Sequence, residues 1–365
     1  MNPYYTVPSP SEPPSGEEPV LPTADSEAPE ATRRHFSGVG RAYLILTTAY
    51  MGVAYVAQLV ALLCARELFD LWWFSWAVSL LPLYGVGLPL LWLCLRRTAT
   101  APHNSLYHTR DTEAEKPPLG VKGWLILLII SFACMTMGGM VGNTIMSVLS
   151  ELTGHDYAFA LNSMVNTTPV WFTLICTCIC APFGEELLFR KLLIDRTRRY
   201  GDWVSILLSG LLFGLFHGNL FQFFYAAMVG MVLAYVYTRT GRYLPCVALH
   251  AVINFMGSIV TPALSRMVTD GFAALGEGAT EEMVEEVVLS TDFIMAIGAT
   301  LLLLIWQYGM LAGGLALFCI HIRNRKLSRG TSISDRPVAA ALQNPGMIAC
   351  MAVMLVLVVL NLIPG

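Results

Sequence analysis

The chain has 365 residues, of which 55% are hydrophobic and 13% are charged. Ordinary soluble domains carry about 25% charged residues, so this composition predicts a protein of the cell membrane that crosses the lipid bilayer several times. The formal net charge of -3 is small, and no cluster of basic residues is interleaved with aromatic residues. These two features exclude a nucleic-acid partner.

Residues 1–38 are rich in Pro, Glu and Ser and precede the first apolar run. Segments of this composition bury too little apolar surface to fold, so we expect a disordered cytoplasmic leader. The first apolar run has full membrane length, which is typical of a transmembrane helix and not of a secretory signal peptide.

Apolar runs of about 20 residues or more, the length that spans a bilayer, recur along the rest of the chain. Apart from His250 they are uncharged, and seven of them cover residues 42–65, 71–95, 123–150, 157–184, 243–265, 293–320 and 337–365. A further run, Val204 to Thr238, is too long for one span and is interrupted at Gly218-Asn219, so it predicts two helices. The sequence therefore predicts an all-α, polytopic integral membrane protein of about nine transmembrane helices.

Lys and Arg residues in the short loops predict the orientation of these helices. If nine helices alternate, the basic segments fall on one side: residues 33–41, 96–122, 191–199, 239–242 and 321–329. We therefore expect a cytoplasmic amino terminus and an external carboxyl terminus. The predicted organisation is the leader 1–38, three N-terminal helices in 39–150, a four-helix core in 151–265, and an acidic loop with two helices in 266–365.

A pair of glutamates, Glu185 and Glu186, follows the fourth uncharged run, and Arg190 comes one helical turn later. Ionisable groups at membrane depth are costly and usually serve a function. Residues four apart share a helix face, so we expect Glu186 to pair with Arg190, while Glu185 points about 100° away and stays available. The alternative is that these residues simply form the cytoplasmic end of the fourth helix.

Two histidines lie inside later spans, where a single histidine is more typical of a packing residue or a helix cap than of a ligand. His217 follows Phe213 by four residues, and His250 precedes Asn254 by four, so each pair lies on one face of its helix. Two such pairs on separate helices, together with the two glutamates, indicate a polar site within the bundle.

Three short patterns thus occur in order within roughly residues 169–258: Glu185-Glu186-x-x-x-Arg190, Phe213-x-x-x-His217 and His250-x-x-x-Asn254. They resemble the signature motifs of the CPBP family, also called the Abi or CAAX prenyl protease-like family. The resemblance implies an intramembrane endopeptidase. It makes Glu185 the catalytic glutamate, Glu186 and Arg190 its partner positions, and His217, His250 and Asn254 the remaining site residues.

Peptide hydrolysis needs a base that activates water and donors that stabilise the oxyanion. We expect Glu185 to be the base and His217 to orient Glu185 or the water. We expect Asn254 and His250 to donate to the oxyanion, each donor being worth about 3 to 4 kcal/mol.

A competing mechanism places a zinc ion on Glu185, His217 and His250, because two His and one Glu are a recognised zinc set. No His-Glu-x-x-His segment is present, and no acidic partner of either histidine is evident in the sequence. The sequence therefore favours a metal-independent glutamate mechanism without a cofactor.

The expected substrates are membrane-associated peptides or protein tails, prenylated or not. The long leader and the extra terminal helices depart from the prenyl-protein branch of the family and favour the non-prenylated class. The leading alternative is a non-catalytic membrane scaffold or bacteriocin-immunity protein that uses the same polar cavity for binding. A transporter would predict an internal repeat, and the sequence contains no convincing one.

Overall fold

The computed structural model describes residues 29–100, 119–155, 157, 168–273, 275, 287–288, 290–322 and 336–362. All regular structure in these ranges is helical, which confirms the all-α prediction. Seven helices are long and apolar enough to cross a membrane, and two shorter apolar helices accompany them. The chain is therefore a multi-pass membrane protein. Residues 1–28 of the predicted leader and the acidic stretch 276–286 lie outside the described residues.

The helices are numbered in chain order, and π-helical or 3-10 turns inside a continuous helix are counted with it. They are α1 (Pro29–Cys64), α2 (Trp72–Leu95), α3 (Val121–Thr153), α4 (Val170–Tyr200), α5 (Asp202–Phe216), α6 (Leu220–Thr240), α7 (Tyr243–Ala273), α8 (Thr291–Ile322), α9 (Pro337–Leu342) and α10 (Pro345–Leu360).

The boundaries predicted for the leader and for the ninth span are wrong. α1 begins at Pro29, inside the leader predicted for residues 1–38. The ninth predicted span is divided into α9 and α10. Asn344 accepts a hydrogen bond from the Met347 N–H at 2.9 Å, and Pro345 opens α10. A capping side chain followed by proline starts a new helix, which explains the break.

The predicted division of residues 204–238 into two helices is confirmed. Gly218 adopts a φ of 67°, a left-handed conformation that suits glycine. Asn219 then caps α6 by accepting a hydrogen bond from the Gln222 N–H at 2.8 Å. The chain therefore turns sharply between α5 and α6, and His217 is placed at this joint.

Small residues let the central helices approach closely. A Cβ atom added at Gly210 or Gly214 of α5 would overlap Ala227 of α6. A Cβ atom added at Gly138 of α3 would overlap the backbone of Tyr225, also on α6. Helix α6 is thus packed between α3 and α5, and its register along both helices is fixed by backbone contact.

Basic residues from several helix ends meet at one end of the bundle. The guanidinium of Arg196, in the last turns of α4, donates to the Leu95 carbonyl at the end of α2 at 3.0 Å. His35 of α1 lies 2.8 Å from the Arg196 carbonyl oxygen, and Arg198 donates to the Thr238 carbonyl at the end of α6 at 2.7 Å. The ends of α1, α2, α4 and α6 that carry basic residues are therefore on the same side of the bundle.

Candidate active site

Glu185 and Glu186 lie in the interior of α4 and not at its end. Two π-helical stretches flank them, Leu174–Cys180 and Leu187–Leu192. The helix therefore extends beyond residue 184, where the fourth span was predicted to end. Leu188, Phe189 and the following turn are buried, so the helix continues because its apolar side chains pack in the core. Single π turns inside helices are frequent at functional sites.

The side chain of Glu186 is completely buried and is held by two partners. Its Oε2 lies 2.9 Å from Arg190 Nε, and both side chains have 0% exposure. This confirms the predicted ion pair. Its other oxygen, Oε1, lies 2.9 Å from His250 Nδ1 on α7. Arg190 also donates through Nη2 to the Gly230 carbonyl of α6 at 3.3 Å. Glu186 and Arg190 together therefore connect α4 to α6 and α7.

Glu185 is the accessible member of the glutamate pair. Its side chain is 19% exposed, and its Oε2 lies 3.8 Å from His250 Nε2. That separation is longer than a hydrogen bond, so this carboxylate lies near the imidazole but does not form a hydrogen bond with it. His250, whose side chain is 5% exposed, thus lies between the two glutamates with one ring nitrogen toward each.

Asn254 lies one turn after His250 and contacts α4 through its amide. Its Nδ2 donates to the Thr177 carbonyl at 2.7 Å, within the first π-helical stretch. A π-helical turn displaces backbone hydrogen bonds, and this amide satisfies one of the carbonyls. Because an asparagine amide has two N–H donors, one donor remains for another acceptor.

His217 stands at the end of α5, where its Nδ1 lies 2.8 Å from the Phe213 carbonyl oxygen. A carbonyl only accepts, so Nδ1 carries the proton and Nε2 keeps its lone pair in the neutral ring. His217 reaches the other site residues through the Phe213 ring, whose centroid is 4.9 Å from that of His217 and 5.7 Å from that of His250.

Phe213 was part of the second motif but was not predicted as a site residue. The Arg190 guanidinium carbon lies 4.7 Å from the centroid of its ring, which is within cation–π range. Phe213 therefore packs against Arg190, His217 and His250 at once. Its contacts with Arg190 and His250 join different helices, so the spacing of residues within one motif does not predict them.

One tyrosine that sequence reasoning did not identify packs on α4 beside Gly184, the residue before Glu185. Tyr84, in a π-helical turn of α2, donates to the Cys180 carbonyl at 3.3 Å, and a Cβ atom at Gly184 would overlap its ring. Side chains of α2 and α7 therefore lie beside the part of α4 that carries the accessible glutamate.

Among the described residues, no group of three or more His, Cys, Asp or Glu side chains is placed to hold a metal ion. The candidate zinc set was Glu185, His217 and His250. His250 directs Nδ1 at Glu186 and His217 directs Nδ1 at the Phe213 carbonyl, so Nε2 is the remaining nitrogen of each ring.

Residues 167–256 match the model of a protein family described as type II CAAX prenyl endopeptidase Rce1-like. The match contains all three motifs and confirms the resemblance drawn from them. It supports a CAAX-type intramembrane protease that acts on membrane-associated substrates. Searches of curated proteins and of solved structures each found no match to the chain.

Proposed function

We propose that this protein is an intramembrane endopeptidase that hydrolyses membrane-associated peptides or protein tails with a water molecule activated by Glu185. One observation carries the proposal. Glu186 and Arg190 form a fully buried ion pair, and the buried imidazole of His250 lies between Glu186 and Glu185. Glu185 is the most exposed of the four side chains, at 19%. Such a cluster is costly within a membrane protein and indicates a functional site.

The charges of the four side chains define the proposed resting state. With His250 doubly protonated, two positive and two negative groups sum to zero, which avoids an uncompensated charge in the bundle. His250 then donates through Nδ1 to Glu186 and keeps Nε2–H directed at Glu185 or at a substrate oxygen beside it. Arg190 offsets the charge of Glu186, so Glu185 remains the carboxylate available as a base.

In the first step Glu185 takes a proton from water while the water oxygen bonds to the scissile carbonyl carbon. The neutral imidazole of His217 has a free lone pair on Nε2, because Nδ1–H donates to the Phe213 carbonyl. That lone pair accepts a hydrogen bond from the second hydrogen of the water. The two acceptors, Glu185 and His217, then fix the direction in which the water attacks.

The attack converts the carbonyl oxygen into an oxyanion, which needs donors that are already in place. The second N–H of Asn254 and Nε2–H of His250 supply them in this proposal. The protonated Glu185 next gives its proton to the leaving amine, and the C–N bond breaks as the carbonyl reforms. This transfer returns Glu185 to its ionised state. The products are an amine and a carboxylic acid, which becomes a carboxylate when it loses its proton to solvent.

The test uses purified full-length protein in lipid nanodiscs with two sets of fluorescence-quenched peptides, one prenylated at a terminal cysteine and one not. We expect cleavage by the wild type, no cleavage by Glu185→Gln, and an unchanged rate after incubation with a chelator. The ratio of the two peptide rates assigns the substrate class, and we expect the non-prenylated peptides to be cleaved faster.

Other outcomes contradict the proposal in different ways. Tight peptide binding without cleavage would indicate the scaffold or immunity function. Cleavage that a chelator abolishes and added zinc restores would indicate a metalloprotease. Cleavage that survives in Glu185→Gln would assign the base to another group.

A further inference from the structure

Two buried hydroxyl groups from other helices donate to consecutive backbone carbonyls just after the glutamate pair. Tyr43 Oη of α1 donates to the Leu188 carbonyl oxygen at 2.5 Å, and Ser209 Oγ of α5 donates to the Phe189 carbonyl oxygen at 2.9 Å. All four residues have 0% exposure. Tyr43 lies outside the matched residues 167–256 and Ser209 belongs to none of the three motifs, and the proposed mechanism uses neither side chain.

The two carbonyls belong to the second π-helical stretch of α4, Leu187–Leu192. In a regular α-helix such carbonyls accept from the N–H group four residues later, whereas a π-helical turn displaces these bonds. A buried carbonyl without its helical donor is costly unless another group donates to it. The hydroxyls of Tyr43 and Ser209 therefore favour the π-helical arrangement of this stretch over a regular α-helical one.

This stretch connects two parts of α4 that are fixed separately. Before it, Glu186 lies 2.9 Å from His250 of α7. After it, Arg196 donates to the Leu95 carbonyl at the end of α2 at 3.0 Å. A shift of the backbone hydrogen bonds by one residue between the two parts would rotate one against the other by about 100°. The π-helical stretch thus determines the direction of the glutamates relative to the fixed end of the helix.

The side chain of Phe189 connects the same stretch to the aromatic ring beside the site. Its ring centroid lies 6.1 Å from that of Tyr43 and 5.4 Å from that of Phe213. Phe213 in turn lies 5.7 Å from His250 by ring centroids. The residue whose carbonyl binds Ser209 is therefore packed between Tyr43 and the rings of the site.

We propose that Tyr43 and Ser209 are positioning residues, which hold the Leu187–Leu192 stretch in its π-helical arrangement and so keep Glu185 and Glu186 directed at His250. The expected effect on catalysis rests on the function proposed above. The proposal gives α1 a role in the site, although α1 carries none of the three motifs.

The first test measures kcat and KM for peptide hydrolysis by the full-length protein in nanodiscs. Tyr43→Phe and Ser209→Ala each remove one hydroxyl and keep the rest of the side chain. We expect kcat to fall about tenfold in each variant, as for a buried carbonyl that loses its donor. KM should stay at the wild-type value, because neither residue is placed to contact the peptide.

Two matched controls make the same changes where α4 is not involved. The Tyr235 hydroxyl of α6 is buried and has no hydrogen-bond partner among the described residues. Ser131 of α3 has 0% exposure, but its Oγ donates to the Leu127 carbonyl of its own helix at 2.7 Å. Tyr235→Phe and Ser131→Ala should therefore leave kcat and KM at the wild-type values.

A magnetic-resonance measurement tests the positioning without relying on cleavage. Protein labelled with an NMR-active nitrogen isotope only at histidine gives ring signals that report hydrogen bonding, and the signals lost in His250→Asn belong to His250. We expect the Nδ1 signal of His250 to shift in Tyr43→Phe and in Ser209→Ala, because rotation of Glu186 changes its contact with this nitrogen. The signal should not move in Tyr235→Phe or Ser131→Ala.

The outcomes separate this inference from the proposed function. A wild-type protein that does not cleave, but whose His250 signal shifts in Tyr43→Phe and Ser209→Ala, contradicts the proposed function and supports the positioning role. Active protein in which both variants keep kcat within about twofold overturns the inference, and so does an unshifted His250 signal. An equal loss of kcat in the two controls also overturns it, since the effect would then be general to buried hydroxyls.

Discussion

His250 Nδ1 lies 2.9 Å from Glu186 Oε1, and the other oxygen of the same carboxylate lies 2.9 Å from Arg190 Nε. The two neighbouring glutamates therefore differ in their contacts. Each carboxylate oxygen of Glu186 has a partner, Arg190 on its own helix and His250 on α7. Glu186 therefore links α4 to α7. Glu185 is left with the longer separation of 3.8 Å to the same imidazole, which suits a group that must exchange protons with water.

This difference predicts opposite effects of two conservative changes. Glu186→Gln leaves Arg190 buried without its counter-ion, and breaking a buried pair costs about 3 to 5 kcal/mol. We expect a clear loss of thermal stability as well as activity. Glu185→Gln should lose activity with a melting temperature near that of the wild type. Thermal unfolding in detergent, followed alongside peptide cleavage, compares the two.

Lys191 and Asp195 provide the control for the stability measurement. They form the same i,i+4 type of pair on α4, with 2.7 Å between Nζ and Oδ2, but the Lys191 side chain is 55% exposed. Exposed pairs contribute only about 0 to 1 kcal/mol, so Lys191→Gln should leave stability nearly unchanged. A Glu186→Gln protein as stable as Lys191→Gln would contradict the structural role given to Glu186.

Asn254 is expected to affect turnover more than substrate binding. Asn254→Leu removes the donor assigned to the oxyanion, and loss of one such donor typically lowers kcat about 10²- to 10³-fold. KM should change little, because the interaction strengthens in the transition state. Steady-state kinetics on a single peptide separate the two constants. A rise in KM at constant kcat would instead assign Asn254 to substrate binding.

Gly184 is expected to tolerate no side chain, because a Cβ atom there would overlap the ring of Tyr84. Overpacking typically costs about 1 to 3 kcal/mol, and the displaced residue is next to Glu185. Gly184→Ala should therefore lower both the melting temperature and kcat. Gly139→Ala on α3, where a Cβ atom meets nothing within 4 Å, is the matched control. Equal melting temperatures for the two variants would show that Tyr84 moves aside freely.

The distribution of basic residues predicts the orientation of the bundle. Because the basic helix ends meet on one side and cytoplasmic loops carry the Lys and Arg excess, a reporter inserted near Thr112 should be cytoplasmic. A reporter fused after Gly365 should be external. A protease-protection or reporter-enzyme assay decides this, and a cytoplasmic carboxyl terminus would contradict the predicted arrangement of nine helices.

Sequence patterns were sufficient where the contact is local. The pairing of Glu186 with Arg190 follows from their spacing on one helix, and the joint at Gly218-Asn219 follows from turn chemistry. The contact between Glu186 and His250 joins residues 64 positions apart on two helices. No periodicity specifies it, so only the three-dimensional packing reveals which glutamate the histidine binds.

The end of α4 could not be predicted from charge. Arg190 and Arg196 resemble a cytoplasmic loop in the sequence, yet both are buried. Their guanidinium groups donate to the carbonyls of Gly230 and Leu95. Those acceptors lie on other helices, and their presence compensates the burial of charge. A helix boundary predicted from hydropathy alone is therefore placed too early in the sequence.

Helix α10 has a consequence for the order in which the bundle assembles. Asn361, just after α10, donates to the Gly218 carbonyl at 3.1 Å, and the Gly346 N–H at the start of α10 donates to Ser37 of α1. The joint that carries His217 is thus held by a residue 143 positions further along the chain, and α1 is held by a residue 309 positions away. Neither contact can form before α10 has packed into the bundle, so the position of His217 depends on the docking of this helix.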